Sequence, residues 1–420
     1  MRTILHSDIN NCYASIECLH HPELRGLPVA VTGDPEARHG IILAKNTEAK
    51  RFGVVTGETI YSAERKCPGL VTVRANFPLY ERFCSAVRKI YSDYTDMVEP
   101  FGMDEAWLDV TGSLAIFGSG EDIADAIRRR VKNELGITVS VGVSFNKVFA
   151  KLGSDLKKPN AVTVISPENF RQLIWGLDVS QLLFAGSTTC SRLRRCGLRT
   201  IGDVANASPA FLKNLLGKSG PMLHKYANGL DDSPVTRIDD AAPPKSIGNS
   251  VTTPRDIVNF QDAEIVLCTL CERVGYRLRK AGKKCRTVAI SIKGTDLSSF
   301  ERQMHLAAPG SSTDILLSSA MKLLRANWDG MSKIRALGVR ADGLVDSSDA
   351  CPQLSIFENE EENMRTEKLE STLDSLRGRF GSGAVRRAVT IADPSLIADL
   401  PKFGSSIPGA DHTQEANEND

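Results

Sequence analysis

Short apolar segments alternate with amphipathic ones over the first 165 residues of the chain. Residues Thr3–Ile9 alternate in pattern, with Ile4, His6 and Asp8 on one face, and this predicts a β-strand. Four further strands and three helices follow by the same criteria. The strands are Pro28–Val31, Gly40–Leu43, Ala106–Val110 and Thr138–Val143. One helix begins near Cys12, and the other two cover Leu79–Tyr94 and Ile123–Glu134. Strands mixed with helices in this way predict an α/β or α+β layered domain.

The pattern changes after residue 165. Residues 168–235 carry short helical segments punctuated by glycine, which predicts a small all-helical unit, and Ile238–Pro244 predicts a linker. Strands return between residues 245 and 344, where Thr287–Lys293 is rich in β-formers. Helices are predicted on either side of that strand, at Ala263–Ala281 and Ser312–Trp328. These residues therefore predict a separate α/β unit.

The chain after Asp346 is expected to be largely unfolded, with one helix near Arg365–Phe380. Four apolar residues form a stripe along that helix, namely Leu369, Leu373, Leu376 and Phe380. Such a stripe suits docking on the protein's own core or on a partner. The sequence leaves both alternatives open.

The composition is that of an ordinary globular protein, with 41% hydrophobic and 25% charged residues among 420. No apolar run approaches the roughly 20 residues that span a bilayer, so no membrane association is expected. Ten cysteines in a chain of this length are not a disulfide framework. A reducing, cytoplasmic location is therefore expected.

The formal net charge of +1 conceals a strong asymmetry along the chain. Residues 1–165 contain 20 Lys and Arg against 20 Asp and Glu, residues 166–345 contain 25 against 16, and residues 346–420 contain 7 against 15. A basic middle and an acidic end thus cancel, and the low net charge does not exclude a nucleic-acid partner.

Three carboxylates are candidates for catalysis: Asp8 at the end of an apolar strand, and Asp104 and Glu105 after the turn at Gly102. Hard cations such as Mg²⁺ prefer oxygen ligands, and a pair of such ions supports phosphoryl transfer. Adjacent strand residues point to opposite faces, so Asp104 and Glu105 can converge only at a strand entrance or bulge. The alternative interpretation is that all three are surface acids at strand ends.

Several longer motifs surround these acids. They are residues 8–17 (DINNCYASIE), 22–31 (PELRGLPVAV), 98–111 (VEPFGMDEAWLDVT), 140–144 with Lys147, 151–160 (KLGSDLKKPN), 198–205 and 245–248. Over residues 1–345, in this order, the chain resembles the Y-family translesion DNA polymerases, and within them the bacterial polymerase IV type.

The resemblance implies an α+β multidomain fold shaped as a right-hand polymerase. It implies a palm with a mixed sheet, small fingers, a helical thumb, an α/β little finger and a flexible C-terminal tail. The corresponding residues are 1–10 and 75–165 for the palm, 11–74 for the fingers, 166–237 for the thumb, 238–244 for the linker, 245–345 for the little finger and 346–420 for the acidic tail.

The resemblance also implies a low-fidelity, template-directed DNA polymerase of low processivity that extends primers past damage. Asp8, Asp104 and Glu105 would hold two Mg²⁺ ions for attack of the primer 3′-hydroxyl on a dNTP. Tyr13 stands at the sugar-gate position, where a ring crowds a 2′-hydroxyl; the alternative is a core aromatic. Lys158 aligns with the triphosphate-binding lysine of the family.

The fingers depart from the family pattern at two positions. Thr47 stands where the family usually has Tyr, and Lys50 where it has Arg. Lysine cannot form the bidentate fork of arginine, but Lys50 remains a candidate triphosphate contact beside Arg51. Lys50 and Arg51 are also interpretable as solvated helix charges.

Two segments are candidates for holding primer-template DNA. Residues 184–197 resemble a helix-hairpin-helix, in which Gly186 would place backbone N–H groups at a phosphate, although Phe184 replaces the first glycine of the motif. The run Arg277–Arg286 holds six cations in ten residues, of which Lys283, Lys284 and Arg286 are candidate DNA contacts. A solvated basic face is the alternative. Cys268 and Cys271 have zinc-like spacing but no second pair, which favours a packed helix face.

The C-terminal region contains a short peptide, residues 353–357, that resembles the sliding-clamp-binding motif of bacterial polymerases. Its anchors would be Gln353, Leu354, Ile356 and Phe357. The expected partners are therefore DNA, dNTPs and the β sliding clamp, with the protein itself monomeric.

Two other classes of function remain as alternatives. A palm-type nucleotidyl cyclase could share the carboxylates, but the DNA-holding segments argue against it. A catalytically inactive scaffold for DNA and clamp could share those segments, but the intact Asp8, Asp104 and Glu105 argue against it.

Overall fold

The computed structural model describes residues 1–34, 40–237, 240, 243–348, 360–381 and 383–397, with the backbone alone at 360–364. The chain divides into two compact units. Unit 1 contains the described residues of 1–33 and 41–241, and unit 2 contains those of 34–40 and 242–405. None of the helices in the described ranges is long and apolar enough to cross a membrane.

Strands and helices are labelled in chain order. The strands of unit 1 are β1 (Ile4–Ile9), β2 (Val29–Thr32), β3 (Ile42–Lys45), β4 (Val71–Arg74), β5 (Val98–Phe101), β6 (Glu105–Asp109), β7 (Val139–Ser144) and β8 (Val162–Ile165). Its helices are α1 (Cys12–His20), α2 (Thr47–Arg51), α3 (Ile60–Lys66), α4 (Phe77–Ser92), α5 (Leu114–Phe117), α6 (Gly120–Leu135), α7 (Lys147–Leu156), α8 (Phe170–Ile174), α9 (Ser187–Arg195), α10 (Ile201–Asn206), α11 (Pro209–Leu216) and α12 (Ser219–Ala227). Unit 2 contains β9 (Ser246–Ile257), α13 (Phe260–Lys280), β10 (Lys283–Gly294), β11 (Ser299–Gly310), α14 (Thr313–Asn327), β12 (Ile334–Asp346) and α15 (Glu360–Phe380).

A five-stranded mixed sheet with the order β5-β6-β1-β7-β8 forms the centre of unit 1. Strand β1 is antiparallel to both β6 and β7, whereas β7 and β8 are parallel. Leu5 packs with α4 and α6 on one face, in a core that includes Val87 and Ile127. On the other face, His6 contacts Ser154 of α7. The palm-like sheet is therefore covered by helices on both faces, and its strands β1 and β7 are buried at every position.

Two smaller bodies complete unit 1. A three-stranded sheet, β3-β2-β4, packs with α2 and α3 around a small core that includes Ala30, Ile42 and Val54. Helices α8 to α12 enclose a second core that includes Leu193 and Leu212, and Phe149 of α7 joins it. These bodies cover the residues that the sequence assigns to fingers and thumb.

Unit 2 is built on a four-stranded antiparallel sheet with the order β11-β10-β12-β9. Helices α13 and α14 cover one face, and their Val266 and Leu316 pack with Val288 and Ile290 of β10. Cys268 and Cys271 are fully buried on α13, in agreement with the predicted packed helix face.

The strands and helices expected in both units are present, usually within three residues of the predicted ends. The largest difference lies after residue 346. There α15 and two short 3₁₀ helices, Ala388–Ile391 and Pro394–Ile397, are ordered parts of unit 2, and Leu396 and Ile397 join its core. The helix predicted near Arg365–Phe380 is present within α15. The expectation of a largely unfolded tail is wrong for the described residues 365–381 and 383–397, because buried ion pairs and the apolar side chains of Leu396 and Ile397 hold them on unit 2. The predicted clamp-binding residues Gln353, Leu354, Ile356 and Phe357 lie outside the described residues.

Close contact between β7 and α7 depends on Gly142, which pairs with His6 in the register. A Cβ atom at Gly142 would lie 1.9 Å from the carbonyl oxygen of Ala150 and 2.5 Å from the backbone nitrogen of Ser154. These atoms belong to helix backbone and cannot move as a side chain can. Any larger residue would therefore force α7 away from the sheet.

We expect Gly142→Ala to destabilise the protein by at least about 2 kcal/mol, since overpacking against backbone requires the helix to shift. Urea unfolding followed by circular dichroism measures this change. Gly69→Ala is the matched control, because a Cβ atom there meets no atom within 4 Å. Equal stability of the two variants would contradict the assigned role of Gly142.

Candidate active site

The three candidate carboxylates lie where neighbouring strands of the central sheet meet a turn. Asp8 on β1 pairs with Glu105 on β6 in the antiparallel register. The backbone N–H of Ile9 donates to the carbonyl oxygen of Asp104 at 3.1 Å. Gly102, in the turn before β6, has φ of +80°, which favours glycine. The turn thus places Asp104 at the strand entrance, beside Asp8 and Glu105.

Helix α7 and the residues just after it supply positive charge to this site. Lys158 Nζ lies 2.7 Å from Asp8 Oδ2 and 2.7 Å from Asp155 Oδ1. Lys151 forms an ion pair with Glu105. Lys151 and Asp155 are four residues apart and lie on one side of α7, and Lys158 follows the end of the helix. The predicted triphosphate-binding lysine is therefore adjacent to the predicted catalytic acids.

His6 supports Glu105 from within the sheet. Its Nε2 lies 3.2 Å from Glu105 Oε2, and its Nδ1 lies 2.9 Å from Ser154 Oγ. Burial lowers the pKa of His6 to about 4, despite the nearby charge of Glu105. The imidazole is therefore neutral at pH 7 and positions Glu105 without balancing its charge.

The three carboxylates differ in their electrostatics. Burial raises the pKa of Asp8 to about 7; Glu105 and Asp104 add to that rise, and Lys158 opposes it. Burial also raises the pKa of Asp104, and the charge of Glu105 adds to it. Burial would raise the pKa of Glu105 as well, but its contacts with His6 and Lys151 outweigh burial and hold it at about 2. Additional positive charge would therefore be most favourable at Asp8 and Asp104.

The donor set fits a hard divalent cation by its chemistry, because three carboxylates offer oxygen ligands and two of them repel each other. Their side chains do not converge on one point in this structure. Across the described ranges, no three His, Cys, Asp or Glu side chains are grouped as metal ligands would be. Instead, Lys158 pairs with the carboxylate of Asp8, and Lys151 pairs with that of Glu105.

Tyr13 lies on the first turn of α1, close to these acids. Its ring stacks on Tyr80 with centroids 4.5 Å apart and an interplanar angle of 11°, and it meets the edge of Phe77. Tyr80 is buried and its hydroxyl donates to Glu17 at 2.5 Å. Burial, then the charge of Asp104, raises the pKa of Tyr13 to about 12. The ring is thus half-buried, supported from behind, and near Asp104.

The other predicted triphosphate contact, Lys50, is not joined to this group. It is exposed on α2, and no ion pair links it to a carboxylate of the described residues. Thr47, the other departure from the family pattern, accepts a hydrogen bond from Asn11 at 3.2 Å. This contact ties α2 to the start of α1, next to Tyr13.

Residues 184–197, where a helix-hairpin-helix is predicted, form a turn followed by α9. Gly186 is the N-cap of α9, so the first N–H groups of that helix point outward. Phe184 has φ of +66°, the left-handed conformation that favours the glycine usual at that position. Phe184 thus adopts a backbone conformation that glycine adopts readily, and its aromatic ring is exposed.

The basic run in unit 2 spans the end of α13 and the start of β10. Arg286 is exposed, whereas Lys283 Nζ lies 2.7 Å from Asp346 and Lys284 Nζ lies 2.6 Å from Glu367. Two of the three predicted DNA contacts are thus paired within the chain.

Sequence patterns missed four residues that shape the site, namely His6, Lys151, Phe77 and Tyr80. For Lys151 a signal existed, since it opens the motif at residues 151–160 that also contains Lys158. The rings behind Tyr13 are more than 60 residues away along the chain, and no local pattern connects them.

Comparisons with known proteins identify the family of this chain. Residues 7–155 match the impB/mucB/samB family, and residues 244–356 match the impB/mucB/samB family C-terminal domain. A DNA polymerase IV from Acetivibrio thermocellus is 51% identical over 94% of this chain and 99% of that protein. A DNA polymerase IV from Pelotomaculum thermopropionicum is 36% identical over 94% of this chain and 97% of that protein.

Among solved structures, a Y-family DNA polymerase chimera has a TM-score of 0.72 and 25% identity, covering 82% of this chain and 99% of that chain. The mixed sheet with its terminal carboxylates is thus the palm of a nucleotide-polymerising enzyme. The chain belongs to the impB/mucB/samB family, the Y-family of DNA-directed DNA polymerases, and to its polymerase IV type. The resemblance drawn from the sequence motifs is confirmed.

The raised pKa of Asp8 predicts a pH-dependent stability. Because the carboxyl binds its proton more tightly when folded, Asp8 weakens folding increasingly from pH 4 to pH 7 and fully above pH 7. In EDTA, the gain in the free energy of unfolding from Asp8→Asn should therefore be about 1–3 kcal/mol larger at pH 8 than at pH 5.

Urea unfolding at the two pH values measures this difference. Asp96→Asn is the control, because the Asp96 side chain is 65% exposed and pairs only with Arg237 among the described side chains. A gain from Asp8→Asn that is the same at both pH values would contradict the raised pKa.

Proposed function

We propose that this protein extends a DNA primer along a template past damaged positions, with low fidelity and low processivity. The observation that carries the proposal is the group of Asp8, Asp104 and Glu105 at one end of the palm sheet, beside Lys158. Family membership supports the same activity and implies dependence on a divalent metal. The finer points, namely two Mg²⁺ ions and lesion bypass, are parts of the proposal.

The reaction is nucleotidyl transfer. The primer 3′-hydroxyl oxygen attacks the α-phosphorus of a dNTP, a new P–O bond forms, and the bond to the β-phosphate breaks with release of pyrophosphate. Asp8, Asp104 and Glu105 would hold two Mg²⁺ ions, which when bound supply charge neutralisation at the phosphates and the attacking oxygen. His6 and Lys151 would keep Glu105 ionised and oriented for this task.

Lys158 would bind the triphosphate. In this structure its ammonium group is shared between Asp8 and Asp155. Its attraction to these acids, chiefly Asp8, outweighs burial and raises the pKa of Lys158, so the group stays charged at pH 7. Once a metal ion binds the Asp8 carboxylate, a phosphate would attract the Lys158 ammonium group more strongly than that carboxylate does. Lys158 would then turn to the triphosphate. Lys50, exposed on the fingers, would make a second contact.

Tyr13 would discriminate between sugars. The ring is fixed by Tyr80 and Phe77 behind it, so it cannot retreat from an added 2′-hydroxyl without disturbing buried side chains. A fixed ring excludes a bulkier sugar better than a mobile one does. The position beside Asp104 supports this role.

Primer-template DNA would be held at two places. In unit 1, the N-terminus of α9 at Gly186 would bind a phosphate through backbone N–H groups. In unit 2, Lys283, Lys284 and Arg286 would contact the phosphate backbone without regard to sequence. Residues 353–357 would bind the sliding clamp, and the protein would act as a monomer in the cytoplasm.

Primer extension tests the catalytic assignment. We expect wild-type protein to extend a primed template with Mg²⁺ and to stop in EDTA, and Asp104→Ala to lower the rate by at least roughly 10²-fold, because charge stabilisation at the phosphates is lost. Asp96→Ala, at an exposed acid of the same unit, should extend normally. DNA binding without extension by the wild type would favour the inactive scaffold instead.

Sugar selectivity tests Tyr13. Tyr13→Ala should raise ribonucleotide incorporation relative to dNTP by at least about tenfold, or about 1.4 kcal/mol of discrimination, while DNA synthesis continues. The ratio of kcat/KM for the two nucleotides measures it. Tyr61→Ala removes an exposed ring from the fingers and is the control. Unchanged selectivity in Tyr13→Ala would remove the gate assignment and leave the polymerase assignment intact.

A further inference from the structure

Helix α15 packs on unit 2 through charged side chains. Arg377 donates to Glu272 at 2.6 Å, and both side chains are about 95% buried. Arg279 donates to both carboxylate oxygens of Asp374, at 2.6 and 2.9 Å. The apolar side chains Leu369, Leu376 and Phe380 stay exposed. The docked face is therefore the charged one, although the leucine stripe suggests the reverse.

Glu370 is the centre of this interface and is almost fully buried. Its carboxylate accepts hydrogen bonds from the backbone N–H and hydroxyl of Thr313 at the start of α14, both at 3.1 Å. Arg387, which follows α15, donates to Glu370 at 2.8 Å. Removing one partner from such a network would leave a buried charge unpaired, so the network is a fixed anchor.

One ion pair at the edge of the same interface is of a different kind. Glu367 lies one turn before Glu370 and its carboxylate is 2.6 Å from Lys284 Nζ. The Glu367 side chain is 51% exposed, whereas that of Lys284 is 19% exposed. The exposed carboxylate is weakly held and can leave the lysine while the buried anchor stays in place.

We propose that Glu367 is an internal counter-charge that competes with DNA phosphate for Lys284. The buried anchor of α15 keeps the Glu367 carboxylate beside Lys284 at a high effective concentration. Phosphate must displace this carboxylate before Lys284 can contact DNA. Through Glu367, α15 thus weakens the binding of DNA to the same protein. The inference rests on the proposed DNA-binding role of the basic run.

The test is a double-mutant cycle in the full-length protein, with Glu367→Gln, Lys284→Gln and the double variant. Affinity for a fluorescent primer-template duplex is measured by anisotropy at 50 and 200 mM salt. Glu367→Gln should bind roughly two- to fivefold more tightly than wild type at 50 mM, and less so at 200 mM, because salt screens exposed pairs. In the Lys284→Gln background the same substitution should have no more effect than a charge control.

The charge control is Glu264→Gln, which removes one negative charge from unit 2 at a residue that forms no ion pair with the described side chains. Thermal unfolding of every variant checks that the anchor is intact. A gain from Glu367→Gln no larger than that from Glu264→Gln overturns the inference. If Lys284→Gln still weakens binding in that case, the proposed DNA contact stands; if Lys284→Gln is without effect in both backgrounds, the contact itself is wrong.

Discussion

Buried negative charge at the end of the palm sheet is the constraint on which the rest of unit 1 depends. Asp8 and Asp104 lie largely out of water and close to Glu105, so each carboxylate raises the cost of ionising another. Such a group persists in a folded protein only if positive charge is brought to it. Here the positive charge comes from α7, whose Lys151 lies beside Glu105 and which is followed by Lys158 beside Asp8.

The position of α7 in turn depends on how closely it approaches the sheet. Gly142 on β7 and Gly153 on α7 lie against each other, with the Gly142 Cα atom 3.1 Å from the position a Cβ of Gly153 would take. Two residues without side chains let helix and sheet backbones come together, and this closeness brings the lysines within reach of the acids. The close packing of α7 on the palm sheet therefore also determines the electrostatics of the site. A divalent cation and a triphosphate, bound as proposed, would meet carboxylates and a lysine that already balance one another.

Sequence patterns predicted what is local in this fold and missed what is not. The alternation at Ile4–Ile9 and the turn at Gly102 predict where Asp8, Asp104 and Glu105 lie, because strand ends and turns have clear local signals. The contact of His6 with Glu105 and the stacking of Tyr80 on Tyr13 join distant segments, so only the folded chain reveals them. For α15, the apolar pattern did not show which face of the helix is docked. Its leucines suit docking on the protein's own core or on a partner, but Glu370, Asp374 and Arg377 make the contact with unit 2, since unit 2 offers Arg279 and Glu272 there.

The charge asymmetry of the chain has a different meaning once these pairs are known. Residues 166–345 carry 25 basic and 16 acidic residues, which suggests a large surface free for DNA. Part of that excess is already neutralised by the region that follows, because Arg279 and Lys284 pair with carboxylates of α15. Both cations are largely buried, but Asp374 is 14% exposed and Glu367 is 51% exposed, so the two pairs differ in how readily the acid can be displaced. Arg279 belongs to the fold of unit 2, whereas Lys284 would exchange its carboxylate for a stronger anion. Under this proposal, the positive charge available to DNA depends on the burial of each acidic partner and not on the count of basic residues.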